Sequence, residues 1–589
     1  MNGERCRDKQ ERAARSVRAP RVLVSMSALL GLGLVGACHD WDAYDPRLGT
    51  GASSSSTSGS GGAGGMAGAG GMAGTGGIGG TGGMAGAGGA TLCDPGSSVP
   101  CYDGPPGTSD VGACKAGTQV CAPDGQSYGT CEGEVRPVAE RCASVADDDC
   151  NTVINDHCAI WSKQVGATGD QRAWAVAVDG TGNVIIAGRM AGSADFGGGT
   201  LTTAGGNDVF VAKYNTSGAH VWSKRFGSAA ADEALAVAVD GMGNVLIAGT
   251  FGGPIGFGGA TDPVHTPVGA TDAFVAKFAP DGTYLWSQAA SGAGVETART
   301  VAADSAGNVV VGGSYQGDID LGVLQATSTD LLDAFLVRLD PAGTPVWAKA
   351  FGDLGNDEVN AVAFDDAGNT LVAGYFDEVV DLGSGPVTDA GGLDVLVAKL
   401  DASGAPVWVH DLGGVNHQSA TSLAVDPTGR VIVAGVFSTV ANFGGGLLTD
   451  PGGDNLFVLA LDAAGQHVWS QGYGDTALQE AWAVDTDAMG NVIVGGAIQG
   501  VVDFGGGPHA VDVPGNGNDD GFVLKLAPNG THLWSRHFGD ASDQDLRGLA
   551  VAPGGEIYVV GEFASVIDFG AGPLDNVSGD DVFLAKLAP

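Results

Sequence analysis

The sequence predicts an all-β fold: a closed seven-bladed β-propeller of four-stranded blades, preceded by a small disulfide-rich module and a disordered tether. Three observations predict it. From Ala159 onward one unit with a basic period of 61 residues recurs seven times, with Trp at 161, 222, 286, 347, 408, 469 and 534. Each unit holds four alternating apolar runs bounded by Gly, Asn and Asp, in the second unit "HVWSKRFG", "ALAVAVD", "NVLIAGTF" and "AFVAKFA", which is strand chemistry. The repeat opens on a Trp strand, "AIWSKQVG", and ends on "GDDVFLAKLAP", a D-x-F-V strand without the Trp strand that follows it elsewhere. The two deficits match, so residues 159–166 are expected to complete the last blade beside Asp581–Leu587, with the Trp strand outermost and the "AVAVD" strand innermost. A four-stranded sheet has two apolar faces, and only neighbouring blades cover both.

Residues 1–37 read as an export signal. Seven Lys or Arg (Arg5, Arg7, Lys9, Arg12, Arg15, Arg18, Arg21) precede the uncharged stretch Val22 to Ala37, which is shorter than the ~20 residues of a membrane-spanning helix. Val35-Gly36-Ala37-Cys38 resembles a bacterial lipobox, which implies lipidation of Cys38 and a location on the outer face of a membrane. An ordinary signal peptide beside a Cys, and a secreted product, is the alternative. Residues 38–92 form the tether. Its stretch Gly49 to Thr91 is almost pure Gly, Ala, Ser, Thr and Met, a flexible coil with a reach of roughly 35 Å. Its many G-x-G-x-x-G matches follow from composition, because no strand precedes them and no helix follows.

Residues 93–158 carry eight of the ten cysteines: Cys93, Cys101, Cys114, Cys121, Cys131, Cys142, Cys150 and Cys158. No C-x-x-C pair occurs among them, and an even count in an exported chain points to disulfides. In "ADDDCNTVINDHC", Asp147, Asp149 and Asn151 alternate like the start of a calcium loop, but Thr152 replaces the turn Gly and Cys158 the final Glu. The segment resembles the Asp-Cys-Asp-Gly elements of metal-binding, Cys-rich surface proteins, with Asn151-Thr152 in place of Asp-Gly. A solvated acidic turn between disulfides is the alternative.

Residues 159–589 are the propeller. "VDGTGNVIIAG…DFGGG…NDVFVAKYNTSGAHVW" resembles the seven-bladed β-propeller (SBBP) repeat of bacterial surface and secreted proteins. That resemblance implies a fold and a surface setting; no shared reaction is attached to it.

Departures from the repeat are the places to look for function. Two units are longer, within Gly258 to Thr271 and Gly505 to Asp519. The connection into the inner strand lies on the same face and is acidic, with Asp170, Asp232, Glu233, Glu296, Asp357, Glu358, Glu480, Asp543 and Asp545; the fifth unit has His417-Gln418 instead. Carboxylates arriving around an axis would make a negative mouth for a hard cation, calcium above all, or for a basic partner. Alternatively each acid accepts from backbone amides at its own strand entrance. The Asp of the "DGTGN"-like turns (Asp179, Asp240, Asp304, Asp365, Asp426, Asp487) and of "DFG" (Asp195, Asp503, Asp568) is read as turn geometry, with Gly and Asn supplying positive φ.

A net charge of −40 opposes nucleic acid and anionic lipid, so the membrane is reached by the lipid anchor alone. No G-x-S-x-G or H-E-x-x-H occurs, the propeller has no Cys, and no catalytic residue is assigned. His220, His467 and His532 share a position with Tyr284, Pro345 and Pro406, which marks a surface strand site rather than a general base. The expected function is a non-enzymatic binding scaffold for a protein or polysaccharide at the cell surface. Alternatives are a calcium-binding surface protein, or a propeller lyase or hydrolase at the axial mouth, for which His265 and His509 on the inserted stretches are the first candidates.

Overall fold

The computed structural model describes residues 92–104, 108–136, 150, 159–166, 168–260, 262–328, 331–449, 452–510 and 518–589. Cys38, the tether up to residue 91, Cys142, Asp147, Asp149, Asn151 and Cys158 lie outside the described residues. In the cysteine module a hairpin pairs Ser98–Cys101 with Gly117–Val120. Disulfides join Cys93 to Cys121, Cys101 to Cys131 and Cys114 to Cys150.

Seven four-stranded antiparallel sheets form the ring. Blade 1 runs from axis to rim as Gln171–Val178, Val184–Met190, Asp208–Tyr214 and His220–Phe226. Blades 2 to 6 begin at Asp232, Val295, Glu358, Gln418 and Gln479. Blade 7 is Gln544–Val551, Ile557–Phe563, Asp581–Leu587 and, last, Ala159–Val165 from the other end of the repeat. That closing strand pairs Ser162 with Ala585 and Val165 with Val582. Each inner strand packs on the next, and the seventh returns to the first. The core therefore lies between blades: Val165, Tyr558 and Val582 of blade 7 pack with Ala173, Ile186 and Phe210 of blade 1, as at the other junctions.

On one face, short turns lock each blade. Asp179 Oδ1 accepts from the amides of Thr181 and Asn183, and its Oδ2 from the Asn183 side chain and from Lys213 at 2.9 Å. Burial works against that charge, yet these donors hold Asp179 well below the usual carboxylate range. Asp240 with Asn244 and Lys277, and Asp487 with Asn491 and Lys525, repeat the arrangement. Gly182 takes the positive φ (82°); Asn183 does not, and serves by side-chain hydrogen bonding instead. The "DFG" aspartates behave as turn residues, Asp195 Oδ1 accepting from the amides of Gly197 and Gly199.

A second device joins blades. The indole Nε1 of Trp161, Trp222, Trp286, Trp347, Trp408 and Trp469 donates to the carbonyls of Thr216, Pro280, Pro341, Ala402, Ala463 and Pro528 at 3.0 to 3.4 Å, each in the last turn of the next blade. Two residues on, Gly218, Gly282 and Gly343 sit under the ring; a Cβ there would approach the indole to 3.1, 3.1 and 2.6 Å.

The seam carries a prediction. Deleting residues 159–166 removes the outer strand of blade 7 and the Trp161 clasp together. The melting temperature of the whole propeller is expected to fall by roughly 5 °C or more, and an unchanged melt would contradict non-covalent closure.

Candidate functional site

Strands alternate in direction within a blade, so the connections from second to third strand and from outer to next inner strand share one face. The described residues of both inserted stretches and all nine acidic candidates lie there. The structure divides the acids into three groups. Asp170 and Asp543 are exposed on loops. Asp232, Glu296 and Asp357 are buried at the heads of the inner strands of blades 2, 3 and 4. Asp232 Oδ2 accepts from the Ser228 amide at 2.7 Å, and Asp357 Oδ1 from the Asp377 amide at 3.3 Å. Gln418 takes the same place in blade 5, its Oε1 accepting from the Gly414 amide at 2.7 Å. Asp232, Asp357 and Gln418 tie strand entrances together, whereas neither carboxyl oxygen of Glu296 finds a donor.

The third group, Glu233, Glu358, Glu480 and Asp545, stands one residue further in and meets arginines. Arg189 donates to Glu233 at 2.6 Å, Arg299 to Glu358 at 2.7 Å, and Arg547 to Asp545 at 3.2 Å and to Glu562 at 3.1 Å. Arg172 pairs with Asp580 at 3.0 Å. The mouth is therefore a mixed ring of cations and anions, not a bare acidic one.

What lines the axis was not visible as a motif. Every inner strand carries a β-bulge within its third to fifth positions, where one residue drops out of the ladder: Trp174, Leu235, Arg299, Asn360, Thr421, Trp482 and Arg547. A bulge re-aims a side chain away from the sheet pattern. All seven are half-buried, while the residue before each is fully buried. Their contacts cross the axis side of the blades. Asn360 Nδ2 donates to the Ala420 carbonyl at 2.9 Å, and Thr421 Oγ1 to the Ala481 carbonyl at 2.5 Å. The Arg547 guanidinium lies 5.4 Å from the Trp174 ring centre and 4.8 Å from that of Trp482. It thus joins blades 6, 7 and 1 through cation–π contacts. Arg189 and Arg172 approach the same Trp174 ring to 5.7 and 6.0 Å.

Within this cluster hydrogen-bonding capacity is left over. Trp174 Nε1, Trp482 Nε1, Glu233 Oε2 and Glu562 Oε2 are buried without a partner, which costs about 1–3 kcal/mol per group unless something else supplies the bond. Burial, partly offset by Arg547, lifts the Glu562 carboxyl to about 7. Burial also works against the Arg547 charge, but Asp545, Glu562 and Glu480 outweigh it and hold the guanidinium above its ordinary range.

The histidines act elsewhere. His265 Nε2 lies 2.8 Å from Ser287 Oγ and His509 Nε2 2.6 Å from Ser535 Oγ, so the two inserted stretches are pinned to the serine after Trp in their blades. His509 Nδ1 also lies 3.1 Å from His537 Nδ1, and burial with the neighbouring His537 and His532 lowers its pKa to about 4. His220, His467 and His532 reach the equivalent serines, Ser223, Ser470 and Ser535, at 3.0 to 3.1 Å. Among the described residues no three His, Cys, Asp or Glu side chains converge as a metal set.

No family model matches the chain. It is 20% identical over 506 residues to an uncharacterized WD repeat-containing protein, L264, of Acanthamoeba polyphaga mimivirus, spanning 70% of this chain and 36% of that one. Among solved structures, a chain of a mitotic checkpoint complex aligns at 11% identity and a TM-score of 0.40, covering 74% of this chain and 93% of its own. The WD40 propeller domain of Doa1 aligns at 11% and 0.36, covering 73% and 97%. A Bacteroides caccae protein of unknown function aligns at 12% and 0.28, covering 60% and 93%. At these scores nothing about ligand or location follows from them.

The Arg547 cluster can be tested by asymmetry. Arg547→Met strands the buried Glu562 and the half-buried Asp545 and is expected to cost about 3–5 kcal/mol in urea unfolding. Glu562→Gln leaves Arg547 its Asp545 partner and is expected to cost less than about 1.5 kcal/mol. Equal costs would show that the guanidinium does not organise the cluster.

Proposed function

We propose that the chain is an exported, lipid-anchored surface protein whose propeller is a non-enzymatic binding scaffold, with the ligand taken at the axial mouth on the loop-bearing face. The observation that carries this reading is the contrast along the inner strands. The frame residues repeat in kind from blade to blade, whereas the bulge residue differs: two Trp, two Arg, Leu, Asn and Thr. Symmetry is broken most widely at this ring of bulge side chains, whose contacts run from one inner strand to the next, and a closed propeller needs no such variety to be stable.

The chemistry there favours a ligand bearing both donors and acceptors. Two indole N–H groups seek acceptors, two carboxylate oxygens seek donors, and the charges around them are paired. A polysaccharide chain, or the main chain and polar side chains of a partner protein, meets that demand. The basic and apolar segments of residues 1–37, ending in Val35-Gly36-Ala37-Cys38, support export and anchoring, and the Gly-rich stretch suits a spacer between anchor and propeller.

The double variant Trp174→Ala/Trp482→Ala tests the site. Against panels of surface polysaccharides and envelope proteins, wild type is expected to retain ligands that the variant binds at least tenfold more weakly, a loss of about 1.4 kcal/mol or more. Val221→Ala and Leu533→Ala, exposed on outer strands, serve as controls. Undiminished binding by a folded double variant would move the site away from the axis.

A further inference from the structure

At every junction between blades, the residue heading an inner strand donates its amide to the carbonyl that precedes the third strand of the blade before. Gln171 pairs so with Asp580, Asp232 with Asn207, Glu296 with Thr271, Asp357 with Leu332, Gln418 with Leu393, Gln479 with Asp454 and Gln544 with Asp519. The head side chain thereby comes beside the first residue of that third strand. In four blades the head residue is Gln, an uncharged group able to sit by a carboxylate. In blades 2, 3 and 4 it is an acid, placed beside Asp208, Asp272 and Asp333. A Cβ on Gly352 would lie 2.5 Å from Asp357 Oδ2 and 2.8 Å from Asp333 Oδ1, so the two carboxyls converge on one point. Gly227 marks the same convergence of Asp208 and Asp232, at 2.7 and 3.0 Å.

The three acid pairs are not equivalent. Arg225, opposite Phe210 on the outer strand of blade 1, forms an ion pair with Asp208. Opposite the corresponding Phe274 and Phe335 stand Ala289 and Ala350. Neither carboxyl oxygen of Glu296 has a hydrogen-bond partner, nor do Asp333 Oδ1 and Asp357 Oδ2. Glu296 and Asp357 are fully buried, and two like charges in such a place are strongly disfavoured. Something positive is required where the guanidinium is missing.

The surroundings favour hydrogen over a metal. The groups that approach are amide N–H groups, those of Gly292 and Gly294 near Glu296 and that of Asp377 on Asp357. Donors of this kind repel a cation. The other charged or titratable neighbours are Asp272 for Glu296; Asp333 and Asp353 for Asp357; Tyr315 on Asp333; and Asp389, Asp353 and His417 around Asp377. None of them supplies a cation in contact with either pair.

We propose that at the junctions of blades 2 with 3 and 3 with 4 a proton shared by the two carboxyls replaces Arg225, so that both junctions loosen when alkaline surroundings take that proton into solvent. The titration agrees with the geometry. Burial and then Asp272 push the Glu296 carboxyl up to about 8. Burial outweighs the Asp377 amide and, with the Asp333 and Asp353 charges adding to it, pushes Asp357 to about 8. The unfolded chain releases these protons near the ordinary value of 4.5 for Glu and 3.8 for Asp. Folded molecules therefore hold more protons between those values and about 8, and stability falls as pH rises through that window.

The test uses the full chain and the double variant Glu296→Gln/Asp357→Gln, which places in blades 3 and 4 the residue that heads four other blades. Thermal melts are taken at about pH 5.5 and about pH 8.5, and wild type is expected to lose roughly 5 °C or more between them. The variant is expected to lose less than half as much and to melt above wild type at the higher pH. Glu562, Asp411 and Asp485, whose carboxyls are also raised, leave it a residual slope. In the infrared, wild type should show a protonated-carboxyl band at neutral pH that is weaker in the single variant Glu296→Gln. Parallel slopes, an unchanged band, or a millimolar calcium shift confined to wild type would each overturn the shared proton, the last in favour of a metal.

Discussion

The blade-to-blade clasp of a tryptophan on the next blade's turn is the constraint from which most of this molecule follows. An indole N–H needs an acceptor when its ring is packed, and here the acceptor lies in the next unit, 55 residues later in four of the six described cases. In the other two it lies 58 and 59 residues later, and those are the units with inserted stretches. The insertions sit on the opposite face from the clasp, so chain was added without moving either the Trp or the turn it grips. The glycine under each indole explains why the last turn must be Gly-bearing: a side chain there would strike the ring before the hydrogen bond could form.

Clasp and turn locks place the invariant chemistry on one face and leave the other free to vary. On the locked face Asp, Asn and Lys satisfy one another in nearly the same way blade after blade. On the loop face the same strands end in connections of different length and charge, and the inner-strand bulges vary around the axis. Stability resides in what repeats, and recognition chemistry has room only where repetition stops.

Much of the fold was legible in the sequence for that reason. Period, blade count, strand order and the seam all follow from residues that recur, Trp161 and Asp581 among them. The site was less legible. The acidic residues after each Trp read as one ring, but adjacent positions in a strand point to opposite sides, so Asp232 is buried at a strand head while Glu233 faces Arg189. Trp174, Trp482 and Arg547 looked like unremarked members of inner strands, because a bulge is a matter of register and leaves no spacing signature of its own. One signal was available: in "ETAR" and "DLRG" a charged residue interrupts the small and apolar residues that fill this position's surroundings elsewhere. The role of Asn183 was misread for a related cause, since a turn residue that hydrogen-bonds and one that adopts positive φ are the same letter.

The ring is also lopsided in charge. Blades 6, 7 and 1 bring the Trp and Arg cluster to the axis, whereas blades 2 to 4 bury paired carboxyls at their junctions, and blade 5 passes the neutral pair Asn455 and Gln479 to blade 6. A seven-fold frame tolerates this because each junction is closed separately: its own apolar cluster, clasp and strand-head amide bond form whatever the neighbouring junctions contain. Buried charge can then be confined to a few junctions without unfastening the rest. The same independence means that a change at one junction, in protonation or by mutation, acts locally first, and reaches the mouth through the inner strands, which pack each on the next.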